Sequence, residues 1–169
     1  MTMTRRSVLL GAAALMLTGC GFHLRGAIKW PKAYQNVYMA GYNPDDRQTF
    51  YSAVAKYFPD HVQLVQNEAN ADLIIQVLSE QQSSRAVSGL AVDRATEEVV
   101  TLTIVVQVKD RDGQEILPPT TLMRERDFSY QEAALLSKST DSQRVSAALR
   151  EELAAMFMRR LEAALRVQP

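Results

Sequence analysis

The stretch EVVTLTIVVQVK, residues Glu98–Lys109, alternates apolar side chains with others along its length. Successive side chains of a β-strand point to opposite faces, so this period of two predicts a strand with one buried face. The side chains expected on the buried face are Val100, Leu102, Ile104, Val106 and Val108. The opposite face carries Thr101, Thr103, Val105 and Gln107. That second face is half apolar, which suits either burial against a partner or lipid, or an ordinary solvated face with β-branched residues.

A hairpin is predicted directly after this strand. Asp110–Gly113 reads DRDG, and Asp-Gly is a typical hairpin turn. The next strand is expected over roughly Glu115–Tyr130, where the pair Pro118-Pro119 interrupts it. Proline has no N–H to donate to a neighbouring strand, so the pair indicates a bulge or an edge strand.

A second alternating segment, Asp72–Gln82, precedes the first one. The side chains expected to share one of its faces are Leu73, Ile75 and Val77. Gln76 and Glu80 are expected on the other face. The polar stretch Gln81–Thr96, with Gly89 in its middle, predicts an exposed connection between the two strands.

The beginning of the domain predicts a strand and a helix. Gln35–Gly41 reads as a strand that stops at glycine, and Val62–Val65 is either a short strand or a lead-in to the next element. The sequence Asn43-Pro44-Asp45 is a helix-start signal, and apolar residues follow it at helical spacing up to Pro59. These signals predict a first helix over about Asp45–Tyr57.

The C-terminal part predicts a long amphipathic helix over about Asp141–Arg166, with caps offered by Thr140–Ser142. Its apolar stripe consists of Val145, Leu149, Leu153, Met156, Phe157, Leu161 and Leu165. Such a stripe is more often core than a partner-binding surface. Together the elements predict an α/β two-layer sandwich, with two helices on one face of a small mixed sheet.

The first residues predict export. Arg5-Arg6 precede the uncharged run Val8–Leu17, which is too short to span a bilayer but suits a signal peptide. The run ends Leu17-Thr18-Gly19-Cys20, which resembles the lipobox of bacterial lipoproteins. An ordinary signal peptide with an incidental cysteine is the alternative, and the arginine pair leaves both Sec and twin-Arg export open.

The lipobox predicts three segments: a signal peptide over 1–19, a lipidated tether over 20–32, and one α/β domain over 33–169. Cys20 is the only cysteine in the chain. By resemblance to lipoproteins generally, it would carry an S-diacylglycerol and an N-acyl chain, such as palmitate. Gly21 stands where aspartate commonly signals retention in the inner membrane, so we expect the outer membrane.

Composition argues against several functions. Without residues 1–19 the chain has 17 basic and 19 acidic residues, a net charge near −2, which gives no overall attraction for nucleic acid. His23 and His61 do not have metal-ligand spacing, and the adjacent carboxylates Glu97-Glu98 face opposite sides of a strand. No phosphate-binding glycine motif is present. We therefore expect no enzyme, no metal and no cofactor beyond the covalent lipid.

The residues after the lipobox, Cys20–Gly26, read CGFHLRG. They resemble the start of mature members of the LPS-assembly lipoprotein family, LptE. The resemblance implies two helices on a four-stranded sheet and no catalysis. It also implies a heterodimer with the LPS-assembly β-barrel LptD, in which the lipoprotein plugs the lumen, assists barrel assembly and binds lipopolysaccharide. The implied location is the periplasmic side of the outer membrane and the barrel lumen.

Lipid A carries phosphates, so arginine or lysine side chains at loop tips are the expected contacts. The candidates by charge and position are Arg85, Arg94, Arg124, Arg126 and Lys138. Arg85 and Arg94 are expected in the exposed connection, while Arg124 and Arg126 should lie on one side of a strand. A different class of function, a lipid-anchored envelope scaffold or cell-wall tether, is the alternative.

Overall fold

A computed structural model describes residues 30–87, 95–131 and 135–167 of the chain. Its elements, in chain order, are β1 (Asn36–Met39), α1 (Phe50–Ala55), β2 (Gln63–Val65), a 3₁₀ turn (Glu68–Asn70), β3 (Leu73–Val87), β4 (Ala95–Asp110), β5 (Glu115–Gln131) and α2 (Leu135–Val167).

The described strands form one mixed sheet in the order β2-β1-β3-β4-β5. β1 is parallel to both of its neighbours, with Val37 opposite Leu64 and Leu73, whereas β3, β4 and β5 form an antiparallel meander. The sheet therefore has five strands, and the expected four is wrong. The additional strand, β2, has three residues, too few for an alternating pattern to distinguish a strand from a lead-in.

Both helices pack on one face of this sheet, as predicted. The side chains expected on the buried face of β4 are all at most 1% exposed. In α2, the residues Leu149, Leu153, Phe157 and Leu161 are completely buried, which confirms the stripe as core. Phe50 of α1 packs edge-on against Phe157, with ring centroids 5.8 Å apart. Burying side chains of this size contributes about 1.5–3 kcal/mol each.

α1 is shorter than predicted at both ends. The side chains of Asn43 and Asp46 accept hydrogen bonds from the backbone N–H groups of Asp45 and Gln48, at 3.0 and 3.1 Å. These local bonds form turns that compete with helix. The helix instead begins after Thr49, whose hydroxyl accepts from the N–H of Ser52 at 3.2 Å. The predicted start at Asp45 is wrong for this reason. The predicted end at Tyr57 is wrong because the N–H of Tyr57 donates to Val54, three residues earlier, in a turn that closes the helix at Ala55.

α2 begins earlier than predicted, at Leu135 rather than Asp141. Thr140–Ser142 consequently lie within the helix, and their assignment as caps is wrong. Serine is accommodated inside this helix by bonding to the backbone, since the hydroxyl of Ser146 donates to the carbonyl of Ser142 at 2.9 Å.

The predicted connection Gln81–Thr96 is mostly strand, which corrects the sequence prediction. β3 continues to Val87 and β4 starts at Ala95, with backbone pairing along both. Strand pairing uses backbone groups and tolerates polar side chains where both faces meet water. Gly89 and Arg94 lie outside the described residues. The end of the sheet formed by Val87, Ala95 and Gln131, where β3 ends and β4 begins, is called the hairpin end below. The Asp110–Gly113 turn lies at the opposite end.

A β-bulge at Leu78 changes the orientation of the rest of β3. Val77 lies opposite Val106, but Ser79 lies opposite Val105, so Leu78 has no opposite partner. Glu80 is thereby placed opposite Ile104, on the helix-covered face. Its expected position on the other face is wrong, because an inserted residue reverses the alternation beyond it.

β5 is an edge strand of the described sheet, and the register between β4 and β5 shifts beside Pro118-Pro119. Val106 pairs with Thr120, whereas Val108 pairs with Leu117. This confirms the prediction of a bulge or an edge at the proline pair, since the missing N–H groups can be accommodated there.

The opposite end of the sheet is called the Trp30 end. Trp30 is 7% exposed and packs its ring edge-on against Phe58, with centroids 5.1 Å apart. Its indole N–H donates to the carbonyl of Tyr34. The packed domain thus reaches back to Trp30, within the segment predicted as tether. The start of β1 and the turn between β4 and β5 lie at this same end.

Candidate functional site

The sheet face opposite the helices, called the open face below, is polar with a few apolar side chains. Thr101, Thr103, Val105 and Gln107 of β4 are half-buried there, as the alternation predicts. Pairing extends the face onto the neighbouring strands with Ser79, Gln81, Ser83, Thr121, Met123 and Glu125. Met123 is 56% exposed, which is high for a large apolar side chain. Hydroxyl and amide groups next to exposed methyl and thioether groups suit a protein–protein interface that contains both apolar contacts and bridging waters.

The open face becomes concave toward the Trp30 end. A groove of about 340 Å³ is lined there by Ile74, Gln76, Gln107, Lys109 and Arg111, among others. The amide of Gln107 donates to that of Gln76 at 3.3 Å across the two strands. Lys109 makes no ion pair with any described residue. This groove is polar and open, so it can accept a polar side chain from a partner surface.

Arg124 and Arg126 share one side of β5, as predicted, but that side faces the helices. Both guanidinium groups approach the carboxylate of Glu152 in α2, with Arg124 Nε at 4.0 Å and Arg126 closer. All three side chains are more than 40% exposed, so these pairs contribute little to stability. A ligand phosphate would have to compete with Glu152 for both arginines.

Arg85 lies in β3 opposite Val99. The prediction that placed it in an exposed connection is therefore wrong. By the register it shares the open face with Thr101, close to the hairpin end. Its side chain is exposed and has no ion-pair partner in the described parts of the chain. The structure therefore separates Arg85 from Arg124 and Arg126, which lie on the other face.

The remaining predicted site residues are only partly placed. Cys20 and Arg94 lie outside the described residues. The backbone of Lys138 lies in the first turn of α2, so this residue is within the last helix and not before it. Its side chain is not among those described.

One polar groove was missed from the sequence. It has a volume of about 440 Å³ and lies between the start of α1, the first half of α2 and β3. Its lining includes Gln48, Gln82 and Arg150. Arg150 Nε donates to Glu80 at 2.8 Å, a pair that exists only because the bulge turns Glu80 toward the helices. Amide and guanidinium donors in such a groove can hydrogen-bond an oxygen-rich ligand.

The titratable groups with shifted pKa values are structural. Burial raises the pKa of Tyr51, whose hydroxyl accepts the N–H of Val77 at 2.8 Å. His61 is exposed in a turn. Across residues 30–87, 95–131 and 135–167, no group of three or more His, Cys, Asp or Glu side chains is arranged to hold a metal ion. The same residues include no helix with the length and apolar character needed to cross a membrane.

A family model described as LptE, lipopolysaccharide-assembly, matches residues 34–161. The chain belongs to the LptE family. LptE relatives include the LPS-assembly lipoprotein LptE of Photorhabdus laumondii, 25% identical over 92% of this chain and 84% of that protein. The one from Pectobacterium atrosepticum is 29% identical over 92% of this chain and 83% of that protein. The LptE assignment confirms the suspected family.

LptE membership places this protein in lipopolysaccharide assembly, in a family without enzymatic activity. The fold is similar to the solution NMR structure of lipoprotein B from Nitrosomonas europaea, with a TM-score of 0.65 and 19% identity. That likeness covers 87% of this chain and 94% of the other. It supports the two-layer α+β architecture.

Proposed function

We propose that this LptE-family protein is anchored by lipid at Cys20 to the periplasmic side of the outer membrane. There it plugs the lumen of an LPS-translocating β-barrel of the LptD type, helps that barrel to assemble, and binds lipopolysaccharide on its way to the surface. The lipobox before Cys20 and the relatives named as LPS-assembly lipoproteins support this proposal.

The open face is the observation that carries the plug proposal. A barrel wide enough to pass a lipid encloses a polar, water-filled lumen, so a plug needs a rigid body with a polar surface. The threonine and glutamine side chains of β4 supply such a surface, and the packed helices behind the sheet keep it rigid. Met123 and Val105 add apolar contact area in the middle of the face.

Arg85 is the best supported lipopolysaccharide contact among the described candidates. It is exposed and free of ion pairs in the described chain, so a phosphate can form a bidentate contact without displacing a carboxylate. Arg94 directly precedes β4 in the sequence and stays a candidate by its charge alone, and Lys138 lies near the start of α2, which follows β5 at the hairpin end. We consider Arg124 and Arg126 weaker candidates than these three, because both already form ion pairs with Glu152.

The plug proposal is tested by purifying the tagged full-length protein from detergent-solubilised outer membranes and identifying the co-purified proteins by mass spectrometry. Wild type should recover one large β-barrel at one-to-one ratio. Met123→Glu should reduce that recovery at least about tenfold, because it buries a charge in the interface. Ala163→Glu is the matched control, since it adds the same charge to an exposed position of α2.

Equal recovery with Met123→Glu and wild type would remove the open face from the interface. Recovery of cell-wall material in place of a barrel would refute the plug and favour the envelope scaffold or cell-wall tether. The anchor is tested separately by labelling cells with radioactive palmitate. Wild type should take up label and Cys20→Ala should not.

A further inference from the structure

One side of β3 has no neighbouring strand over most of its length. β4 pairs with β3 on one side throughout, apart from the bulge, whereas β1 pairs on the other side only with Leu73–Ile75. Beyond these residues, the hydroxyl of Tyr51 accepts the N–H of Val77 at 2.8 Å. No strand among the described residues flanks Leu78–Val87 on this side, which is called the open edge below. These ten residues extend over about 33 Å.

The contacts of Ile75 and Val77 show which backbone groups of the open edge point outward. The carbonyl of Ile75 accepts the N–H of Ala40 at 3.0 Å, so it points away from β4. The N–H of Val77, bonded to Tyr51, points the same way. Both side chains pack on the core beneath the helices. Because side-chain face and backbone direction alternate together along a strand, residues on this face beyond the bulge also point their N–H and C=O groups outward. By the register with β4 these are Glu80, Gln82, Ser84 and Ala86.

The sequence of the open edge lacks the residues that usually prevent pairing with another chain. Natural sheets guard exposed edges with proline, lysine or bulges, or keep the edge strand very short. Leu78–Val87 reads LSEQQSSRAV, with no proline and no lysine. The bulge at Leu78 lies at its start, and the register beyond it is regular. Glu80 is engaged by Arg150, so the centre of the edge, Gln81–Ser84, presents an accessible backbone with uncharged side chains.

A groove beside the open edge provides space for a further strand. It is the polar groove of about 440 Å³ between β3, the first half of α2 and the start of α1. Neighbouring strands lie about 4.8 Å apart, and their side chains alternate between the two faces. One set of side chains of an added strand would enter this groove, where Gln48, Gln82 and Ser142 offer amide and hydroxyl groups. The other set would continue the open face beyond Gln81 and Ser83.

We propose that the partner barrel protein adds an extended segment to the open edge as a further β-strand. The proposal deepens the proposed function and rests on it. Strands in a barrel wall are already paired on both sides, so the added segment lies outside the wall. Main-chain hydrogen bonds supply its affinity, and the amide and hydroxyl side chains on both faces select a polar segment. Continuity identifies the partner, because Gln81 and Ser83 belong to the open face that we propose to meet the barrel lumen.

Proline at position 84 tests the added strand. Ser84→Pro removes one outward N–H and leaves the pairing with β4, an arrangement that edge strands tolerate. The matched control Ser84→Ala loses the hydroxyl but keeps the N–H. Differently tagged wild-type and variant full-length proteins are co-expressed with the barrel, and the barrel recovered through each tag is quantified. Ser84→Pro should recover about tenfold less barrel than wild type, because a partner carbonyl loses its donor, and Ser84→Ala should recover as much.

Hydrogen exchange of wild type is a second measurement, which decides the question if Ser84→Pro does not fold by circular dichroism. In the isolated protein the amide hydrogens of Gln82 and Ser84 should exchange quickly. Those of Gln81 and Ser83, which point toward β4, should exchange slowly. In the purified complex with the barrel, the amide hydrogens of Gln82 and Ser84 should exchange at least about tenfold more slowly than in the isolated protein.

Full barrel recovery by folded Ser84→Pro, or unchanged exchange at Gln82 and Ser84 in the complex, would overturn the added strand. An equal loss of recovery in Ser84→Ala would assign the effect to the side chain and would also overturn it. Self-association of isolated wild type that Ser84→Pro abolishes would assign the open edge to a second copy and overturn the barrel segment as its occupant. Failure of wild type to recover any barrel would instead overturn the proposed function, and this proposal with it.

Discussion

Arg111, in the turn between β4 and β5, forms an ion pair with Asp72, which directly precedes β3. The same carboxylate accepts hydrogen bonds from the backbone N–H and the side-chain amide of Asn36, at 2.9 and 3.2 Å. Burial disfavours the charged carboxylate, but the bonds from Asn36 and Arg111 outweigh this effect and lower the pKa of Asp72. One buried acid therefore joins three chain segments at the Trp30 end.

Replacing Asp72 with Asn should lower the free energy of unfolding by about 2–3 kcal/mol, because donors that now meet a carboxylate would lose charge-assisted bonds. Arg111→Gln should cost no more than about 1 kcal/mol, since the Arg111 side chain is 64% exposed. Urea unfolding measures both. Equal losses in the two variants would show that the ion pair, and not the bonds to Asn36, supplies the stability.

The lowered pKa of Asp72 predicts how stability depends on acid. A carboxyl group whose pKa is lower in the folded state stabilises fully above its unfolded pKa of about 3.9, and this contribution is lost as the pH falls toward the folded value. The difference in unfolding free energy between wild type and Asp72→Asn should therefore be constant from pH 7 to about 5 and shrink below about 4. A difference that does not change down to pH 3 would contradict the assignment.

Truncation of two adjacent residues of β4 should lower the free energy of unfolding by very different amounts. Ile104 is completely buried beneath the helices, so Ile104→Ala should cost about 2–4 kcal/mol of unfolding free energy. Val105 faces the open side, and Val105→Ala should cost less than about 1 kcal/mol. Urea unfolding of the isolated protein makes the comparison. Similar losses at both positions would mean that the open face is packed against another part of the chain.

The candidate lipopolysaccharide contacts should differ in how much affinity is lost on substitution, according to whether the arginine already forms an ion pair within the protein. Arg85→Gln should weaken binding of purified lipopolysaccharide roughly tenfold, through loss of charge-assisted bonds to phosphate. Arg124→Gln and Arg126→Gln should change it less than about twofold, because Glu152 already neutralises both. Titration followed by fluorescence measures the affinities, with Arg47→Gln as a control of equal charge. An Arg124→Gln effect as large as that of Arg85→Gln would reverse the ranking.

The parts of the fold that the sequence predicted are those in which a single pattern dominates. The alternation in Glu98–Lys109 and the apolar stripe of α2 both describe residues packed against one core, so period and burial agree. The proline pair in β5 indicated a bulge or an edge because proline has no N–H to donate to a neighbouring strand, whatever the rest of the fold. The signal peptide and lipidation of Cys20 remain predictions.

The parts that failed depend on partners distant in the sequence. Nothing local to Leu78 indicates a bulge, because its position follows from the register with β4, and the bulge then moved Glu80 to the other face. The polar side chains of Gln81–Ala86 concealed a strand that is stabilised by its backbone pairing with β4. Charge and position alone could not show that Glu152 had already engaged Arg124 and Arg126.

The exposed edge of β5 bears on self-association of the protein. An exposed edge strand offers its backbone to other molecules and can start intermolecular sheets. Here the proline pair interrupts that edge, and Arg124–Asp127 adds four consecutive charged side chains of alternating sign. At the other edge, β2 is only three residues long. Both outermost strands of the described sheet are therefore poor templates for pairing with a strand of another molecule.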